Sequence, residues 1–413
     1  MSFLSVSLAL TAGKWAVAVA DGDWSLHLLT EAAASKGAVC LDGSPQAFYL
    51  RQPLTSNPSG ASTFVVFMEG GGWCESDANC WQRSQGGLGS SKGYGPYDGR
   101  VEGTGLYASF PYATVVYAKY CDGSSFTGDV SEPVQVRVNA TYSSVIYYRG
   151  RRNFDALFDH LFTAQGLDKA SELLFAGCSA GALTTYVHAD YVTSLMVARG
   201  AADAKTVALA DAMFSLHHDG FPNNPLNYYT NQFTWGYDAW NSSRSVDPKC
   251  VAANAKSPWV CFHGAVAAQF IATPLFIANS KHDTWQSRGV LSLNTTECNG
   301  KTDYATGVIT LCDVSMGGDT AAQLQFWEDY GDAMVAAVAP LPAHTAAFLT
   351  NCPTHCQTAG LLWAEPAFPG TRLDAAVLQW YPEAIANVGN ATWRAPRWLA
   401  SHSDGCKVAA SDE

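Results

Sequence analysis

The sequence predicts an α/β protein with a mostly parallel central sheet flanked by helices. Three observations carry that prediction. Short apolar runs recur at 63–68, 114–118, 173–176, 206–210, 274–279 and 345–349, with helix-compatible stretches between several of them. Strands alternating with helices imply parallel pairing through right-handed crossovers. One run ends in Gly177-Cys178-Ser179-Ala180-Gly181 and is followed by a helix-compatible stretch, 182–198. Finally, hydrophobic residues make up 48% of the 413 and charged residues 15%, which suits one large packed domain or two modest ones and excludes a disordered chain.

The remaining elements follow in order. Residues 39–50 read as a hairpin around Asp42-Gly43-Ser44, with 47–50 as its second arm. The strand at 63–68 stops abruptly in Glu69-Gly70-Gly71-Gly72-Trp73. Three consecutive glycines let backbone amides face a bound group without side-chain interference, as an oxyanion hole requires. Cys74 and Cys80 are spaced to close a small disulfide loop beside them. The Gly- and Ser-rich stretch 84–105 is expected to form surface loop and part of a lid. The strand at 114–118 leads into Tyr120-Cys121-Asp122-Gly123-Ser124, and the spacing of Phe154, Leu157, Leu161 and Phe162 predicts a connecting helix. The strand at 206–210 ends at Asp211, that at 274–279 near Lys281-His282-Asp283-Thr284, and that at 345–349 runs into Asn351-Cys352-Pro353-Thr354-His355-Cys356. Residues 214–270, rich in aromatics, Pro and Asn, are expected to be a cap or lid insertion within a single domain, 21–413.

Strand, Gly-x-Ser-x-Gly turn and helix form the pattern of a nucleophile elbow. The two glycines let strand and helix approach, the serine is held exposed to a cleft, and the amide of Ala180 sits at a helix N-terminus. Serine needs a base in hydrogen-bond reach, and the base needs an orienting carboxylate. In an α/β-hydrolase-like sheet the chain order is nucleophile, acid, histidine, with each group just past a strand's carboxyl end. His344 precedes its strand and His402 lies in a polar tail, so His355, between Cys352 and Cys356, is the expected base. Asp283 is the expected acid, with Asp211 as its rival and Asp219 behind both. His217-His218 beside Asp219 reads as a rim pair, since adjacent histidines point different ways and no further metal ligands accompany them.

Net charge is −12, with no basic cluster, which disfavours nucleic acid and anionic membrane as partners. No stretch offers eighteen uninterrupted apolar residues. The 12 cysteines, with sequons at Asn139, Asn241, Asn294 and Asn390, favour an oxidising, secreted setting. The apolar run 3–11 and Ala18-Val19-Ala20 make 1–20 an expected signal peptide.

Four blocks together resemble the pectin acetylesterase family, which includes the Wnt-deacylating carboxylesterase Notum. They are Met68-Glu69-Gly70-Gly71-Gly72-Trp73-Cys74, Tyr120-Cys121-Asp122-Gly123-Ser124, Gly177-Cys178-Ser179-Ala180-Gly181 and Asn351-Cys352-Pro353-Thr354-His355-Cys356. Asp283-Thr284-Trp285-Gln286 resembles the family's Asp-x-x-Gln acid block, which raises Asp283 over Asp211. The resemblance implies Ser179 as nucleophile, His355 as base and Asp283 as acid. It further implies an oxyanion hole of the Gly71, Gly72 and Ala180 amides, with Trp73 lining the acyl pocket. It also implies disulfides Cys74–Cys80 and Cys40–Cys121; Cys178, beside the nucleophile, is expected to be a free packing thiol. Cys250–Cys261 and Cys298–Cys312 are expected as local pairs. The chain departs from the family at Gly181-Ala182, where relatives commonly have two glycines, and at Phe214-Ser215-Leu216-His217-His218.

The expected function is thus a secreted, cofactor-free, monomeric serine carboxylesterase that deacetylates a cell-wall polysaccharide such as pectin. A Notum-type lipid deacylase is the alternative, and an inactive glycan-binding module a third possibility.

Overall fold

The computed structural model describes residues 24–96, 105–221, 228–293, 302–303, 308–311, 320–358, 363–364, 366–368, 371–400 and 407–410. The expected signal peptide, the Asn294 sequon, the Cys298–Cys312 pair and His402 lie outside the described residues.

Nine strands form the central sheet: β1 (Trp24–Leu28), β2 (Ala47–Arg51), β3 (Thr63–Met68), β4 (Thr114–Ala118), β5 (Glu172–Cys178), β6 (Lys205–Asp211), β7 (Leu275–Ser280), β8 (Thr345–Thr350) and β9 (Arg397–Leu399). Their spatial order is β1-β2-β4-β3-β5-β6-β7-β8-β9. Every pairing from β4 to β9 is parallel, while β2 and β1 close one edge antiparallel. The helices used below are α1 (Asp77–Arg83), α2 (Gly150–Ala164), α3 (Ala180–Ala198), α4 (Tyr228–Ala239), α5 (Thr284–Gly289), α6 (Thr320–Val338) and α7 (Leu373–Ala386).

The apolar runs are continuous rather than alternating because both sheet faces are covered. All six residues of β3 are buried. Phe64, Val66 and Met68 enter one core with Leu157 and Phe158 of α2 and Leu183 of α3. Val65 and Phe67 enter the other with Val377 and Trp380 of α7. The register sets the parallel strands flush at their carboxyl ends. Met68 pairs with Gly177, Cys178 with Asp211, Asp211 with Ala278, and Ser280 with Thr350. The loops after β3, β5, β6, β7 and β8 therefore emerge side by side, where an open parallel sheet places its ligands.

The elbow depends on its glycines for space. A Cβ on Gly181 would sit 1.9 Å from the Met68 carbonyl oxygen, and one on Gly177 2.2 Å from that of Gly181. Both neighbours are backbone that cannot yield, so the crossing of β3, β5 and α3 admits no side chain at either position.

The structure departs from the sequence reading in several places. The 39–50 hairpin is reduced to a single Val39–Pro45 bridge, because Ala47–Arg51 joins the central sheet between β1 and β4. Strands β1 and β9 were not legible, the latter having three half-buried residues and no periodicity. The stretch after α1 is not wholly surface loop: Ser84, Ser90 and Ser91 are buried, and a Cβ on Gly71 would strike Leu88 at 2.6 Å. The elbow helix begins at Ala180, directly after the serine, which places the Ala180 amide at its N-terminus as expected.

The described part of the stretch between β6 and β7 includes the helices α4, Pro248–Ala253 and Gly264–Ala267. Its Phe233, Trp240 and Phe262 are fully buried and share a core with Phe64 and Val66 of the sheet. Disulfides join Cys40–Cys121, Cys74–Cys80 and Cys250–Cys261 as expected. Cys178 is not a free thiol; it pairs with Cys356 across 178 residues of chain. Their strand ends lie on the same edge of the sheet, a proximity that sequence distance conceals. Among the described residues no helix is long and apolar enough to cross a membrane.

Candidate active site

Ser179 stands between β5 and α3 with φ 58° and ψ −123°, a conformation that non-glycine residues rarely adopt. Two backbone bonds fix it: its amide donates to the Asp211 carbonyl at 2.9 Å, and its carbonyl accepts from Leu183 at 3.0 Å. The residue is 6% exposed, and its hydroxyl makes no hydrogen bond to the described residues. Strain over-determined by packing marks functional positions.

Asp283 and His355 meet as expected. The Asp283 carboxylate accepts from Trp285 and Gln286 amides at 2.9 Å each, capping α5. The same carboxylate faces His355 Nδ1, at 3.0 Å through Oδ1 and 2.9 Å through Oδ2. A carboxylate acceptor on Nδ1 fixes the tautomer of a neutral imidazole there, with the proton on Nδ1 and the lone pair on Nε2. His355 Nε2 is buried and has no hydrogen-bond partner among the described residues. The Cys178–Cys356 disulfide, with Cα atoms 5.6 Å apart, joins the residue before Ser179 to the residue after His355. That covalent link ties the turn that carries His355 to the strand end that carries Ser179.

The glycine segment is stapled from behind. Glu69 is buried in an ion pair with Lys119 at 2.6 Å and accepts from the Tyr120 amide at 2.8 Å. Gly70 packs on the elbow, where an added Cβ would lie 2.9 Å from that of Ser179. Arg83 donates to the Gly71 carbonyl, and Tyr120 Oη donates to that of Gly72 at 2.8 Å. In a trans peptide the C=O of one residue and the N–H of the next point opposite ways. With the Gly71 and Gly72 carbonyls turned back, the amides of Gly72 and Trp73 point away from Arg83 and Tyr120. The amides of Gly70, Gly71, Gly72 and Trp73 make no hydrogen bond to the described residues. Trp73 is 5% exposed; its indole N–H donates to Ser125 Oγ at 2.6 Å, and that hydroxyl donates to the Ala180 carbonyl at 2.7 Å. Tyr229 and Phe233 of α4 meet the Trp73 ring edge-on.

Asp211, the rival acid, is committed elsewhere. Its Oδ2 accepts from the amide and hydroxyl of Thr358 at 2.7 Å each, holding the loop that follows His355. Burial lifts its pKa to about 6, against the opposing hydrogen bonds from Thr358. The folded-state pKa lies above the ordinary 3.8, so the native state binds the extra proton between those values. The stability this group contributes is complete below pH 4 and is lost as pH rises through 6, a change of about 3 kcal/mol. Comparing wild type with Asp211→Asn in urea at pH 4 and pH 7.5 should show the wild type losing ~2–3 kcal/mol more over that range. Equal losses would remove Asp211 as the source.

The other candidates are placed apart. His344 bonds the Ile271 carbonyl at the amino end of β8. His217 meets Trp259 edge-on and lies tilted against His263, and His218 meets Tyr330 edge-on. A separate cleft of about 750 Å³, lined by Asp42, Trp81, Lys92, Tyr94 and Tyr142 among others, includes none of Ser179, Asp283 or His355.

Comparison with known proteins places the chain in a family. The pectinacetylesterase family model matches residues 18–392. Pectin acetylesterase 11 of Arabidopsis thaliana is 32% identical over 365 residues, 86% of each chain. Pectin acetylesterase 7 of the same plant is 30% identical over 85% of this chain and 86% of its own. The palmitoleoyl-protein carboxylesterase notum1a of Danio rerio is 26% identical over 64% of this chain and 51% of its own. The solved structure of the Wnt deacylase Notum from Drosophila aligns with a TM-score of 0.73 at 19% identity, covering 93% of this chain and 99% of that one. The fold is thus that of an α/β hydrolase, and the chain belongs to the pectinacetylesterase family and is a carboxylic ester hydrolase.

Proposed function

We propose that this protein is a secreted serine esterase that removes acetyl groups from O-acetylated cell-wall polysaccharide, pectin foremost. The observation that carries the assignment is the buried, unpartnered Nε2 of His355, backed by Asp283 and tied through Cys178–Cys356 to Ser179. His355 Nε2 takes the Ser179 proton as Oγ attacks the ester carbonyl. Asp283 keeps the imidazole in the competent tautomer and stabilises the imidazolium. Amides of Gly71, Gly72 and Ala180 receive the oxyanion, and the peptide orientation adds that of Trp73. The tetrahedral intermediate collapses, its C–O bond breaks, and His355 returns the proton to the departing sugar hydroxyl. Water, deprotonated by the same imidazole, then attacks the acetyl-enzyme; the acyl–Oγ bond breaks, acetate leaves, and His355 returns the proton to Ser179 Oγ. The helices between β6 and β7 serve as a cap: α4 closes on Trp73 through Tyr229 and Phe233.

That aromatic packing supports a short acyl group over a lipid. Kinetics on 4-nitrophenyl acetate and octanoate, with acetate release from acetylated pectin, test the assignment. Acetate should be preferred by at least tenfold in kcat/KM, roughly 1.4 kcal/mol. Octanoate preference would transfer the assignment to lipid deacylation.

A further inference from the structure

Trp285 is the single tryptophan among the strongly exposed large hydrophobic side chains of the described residues, at 48% exposure. It stands at the site. Its ring centroid is 5.9 Å from that of His355, with the planes 38° apart. A Cβ on Gly72 would lie 3.6 Å from the same indole. Its backbone amide donates to Asp283 Oδ1, so its position is registered to the Asp283–His355 pair. Its indole N–H makes no hydrogen bond to the described residues.

Trp73 on the same glycine segment is the opposite case. It is buried, its N–H is spent on Ser125, and its ring is boxed in by Tyr229 and Phe233. One tryptophan is a sealed wall; the other offers an open ring and a free donor to whatever lies over His355 and Gly72. A large aromatic left half in water beside reactive groups is a binding surface more often than an accident. The ligand class follows from its form. A pyranose presents a C–H face that stacks on an indole while its rim hydroxyls stay hydrated, and one of them can accept from the indole N–H. A long acyl chain would need enclosure on all sides.

We propose that Trp285 is the stacking platform for the pyranose that carries the scissile acetyl group, and that it sets selectivity for polymer over small esters. This rests on the polysaccharide esterase proposed above. It is tested by titrating Ser179→Ala protein, which should bind without turnover, with acetylated galacturonic-acid oligosaccharides and acetylated xylo-oligosaccharides. The same titration is made with Trp285→Ala and Trp285→Phe added to it. Removing the indole should raise Kd about tenfold, and Phe should recover most of the loss. In the active enzyme, Trp285→Ala should lower the ratio of kcat/KM on acetylated pectin to that on 4-nitrophenyl acetate about tenfold, chiefly through KM. A Kd within threefold of the parent's, or no glycan binding by Ser179→Ala protein, overturns the platform. Full ester hydrolysis by Ser179→Ala would instead overturn the esterase mechanism, and the titration still judges Trp285.

Discussion

Ser179→Ala should lower kcat on a small acetyl ester by ~10⁴–10⁶-fold while leaving the thermal midpoint within a degree or two of wild type. The two halves of this expectation have separate causes. Activity falls because the attacking oxygen is gone and His355 Nε2 has no proton to take. The surviving rate comes from the oxyanion amides and substrate binding, which retain on the order of 10³-fold over water. Stability holds because the Ser179 hydroxyl bonds to nothing among the described residues, so its removal orphans no partner. The backbone bonds from Ser179 to Asp211 and Leu183 survive the change. Labelling by a fluorophosphonate should disappear in parallel with turnover. Retention of more than a hundredth of wild-type kcat by a folded variant would disprove nucleophilic catalysis by Ser179. Asp283 is a poorer choice for such a test, because its carboxylate also caps α5 and its loss mixes folding with chemistry.

Removal of the Cys178–Cys356 disulfide, with both residues changed to Ser, should cost stability and activity together. Its ends are 178 residues apart in sequence, so chain entropy alone sets a loss near 5 kcal/mol, against about 3 kcal/mol for Cys250–Cys261 with a separation of 11. The larger consequence is local. Cys356 holds a positive φ of 63°, directly after His355, and the bond anchors that turn to the strand bearing Ser179. Without it, the turn is held by Asp283 at His355 and by Asp211 at Thr358. A base displaced by about 1 Å costs on the order of 100-fold in rate. Urea midpoints and kcat for the two double variants make the comparison: Cys178/Cys356 should lose both, Cys250/Cys261 stability alone. Equal kcat in the two would show that the disulfide only stabilises.

What could be read from the chain without coordinates was whatever is local in sequence. The elbow was legible because strand, Gly177, Ser179, Gly181 and helix are consecutive. Their conflict with Met68 is the close approach that a Gly-x-Ser-x-Gly turn demands. The meeting of Asp283 with His355 was legible because a parallel sheet sends each strand's carboxyl end to one edge, so counting strands locates the loops that meet there. The Cys74–Cys80 pair was legible from its spacing, whereas Cys40–Cys121 came from family resemblance alone.

What only the tertiary structure decided depends on neighbours that sequence order does not list. Cys178 looked like a packing thiol because its partner sits 178 positions away, on a loop that the register carries back beside Ser179. Asp211 fits a triad acid by position; its carboxylate turned instead to Thr358, a contact between β6 and a later loop that no spacing rule encodes. The direction of the glycine amides was likewise hidden, being set by Arg83 and by Tyr120 from the loop after β4. The chain sets local geometry one residue after another, so consecutive motifs survive without coordinates. Pairings across the sheet edge exist only once the whole sheet has closed its register.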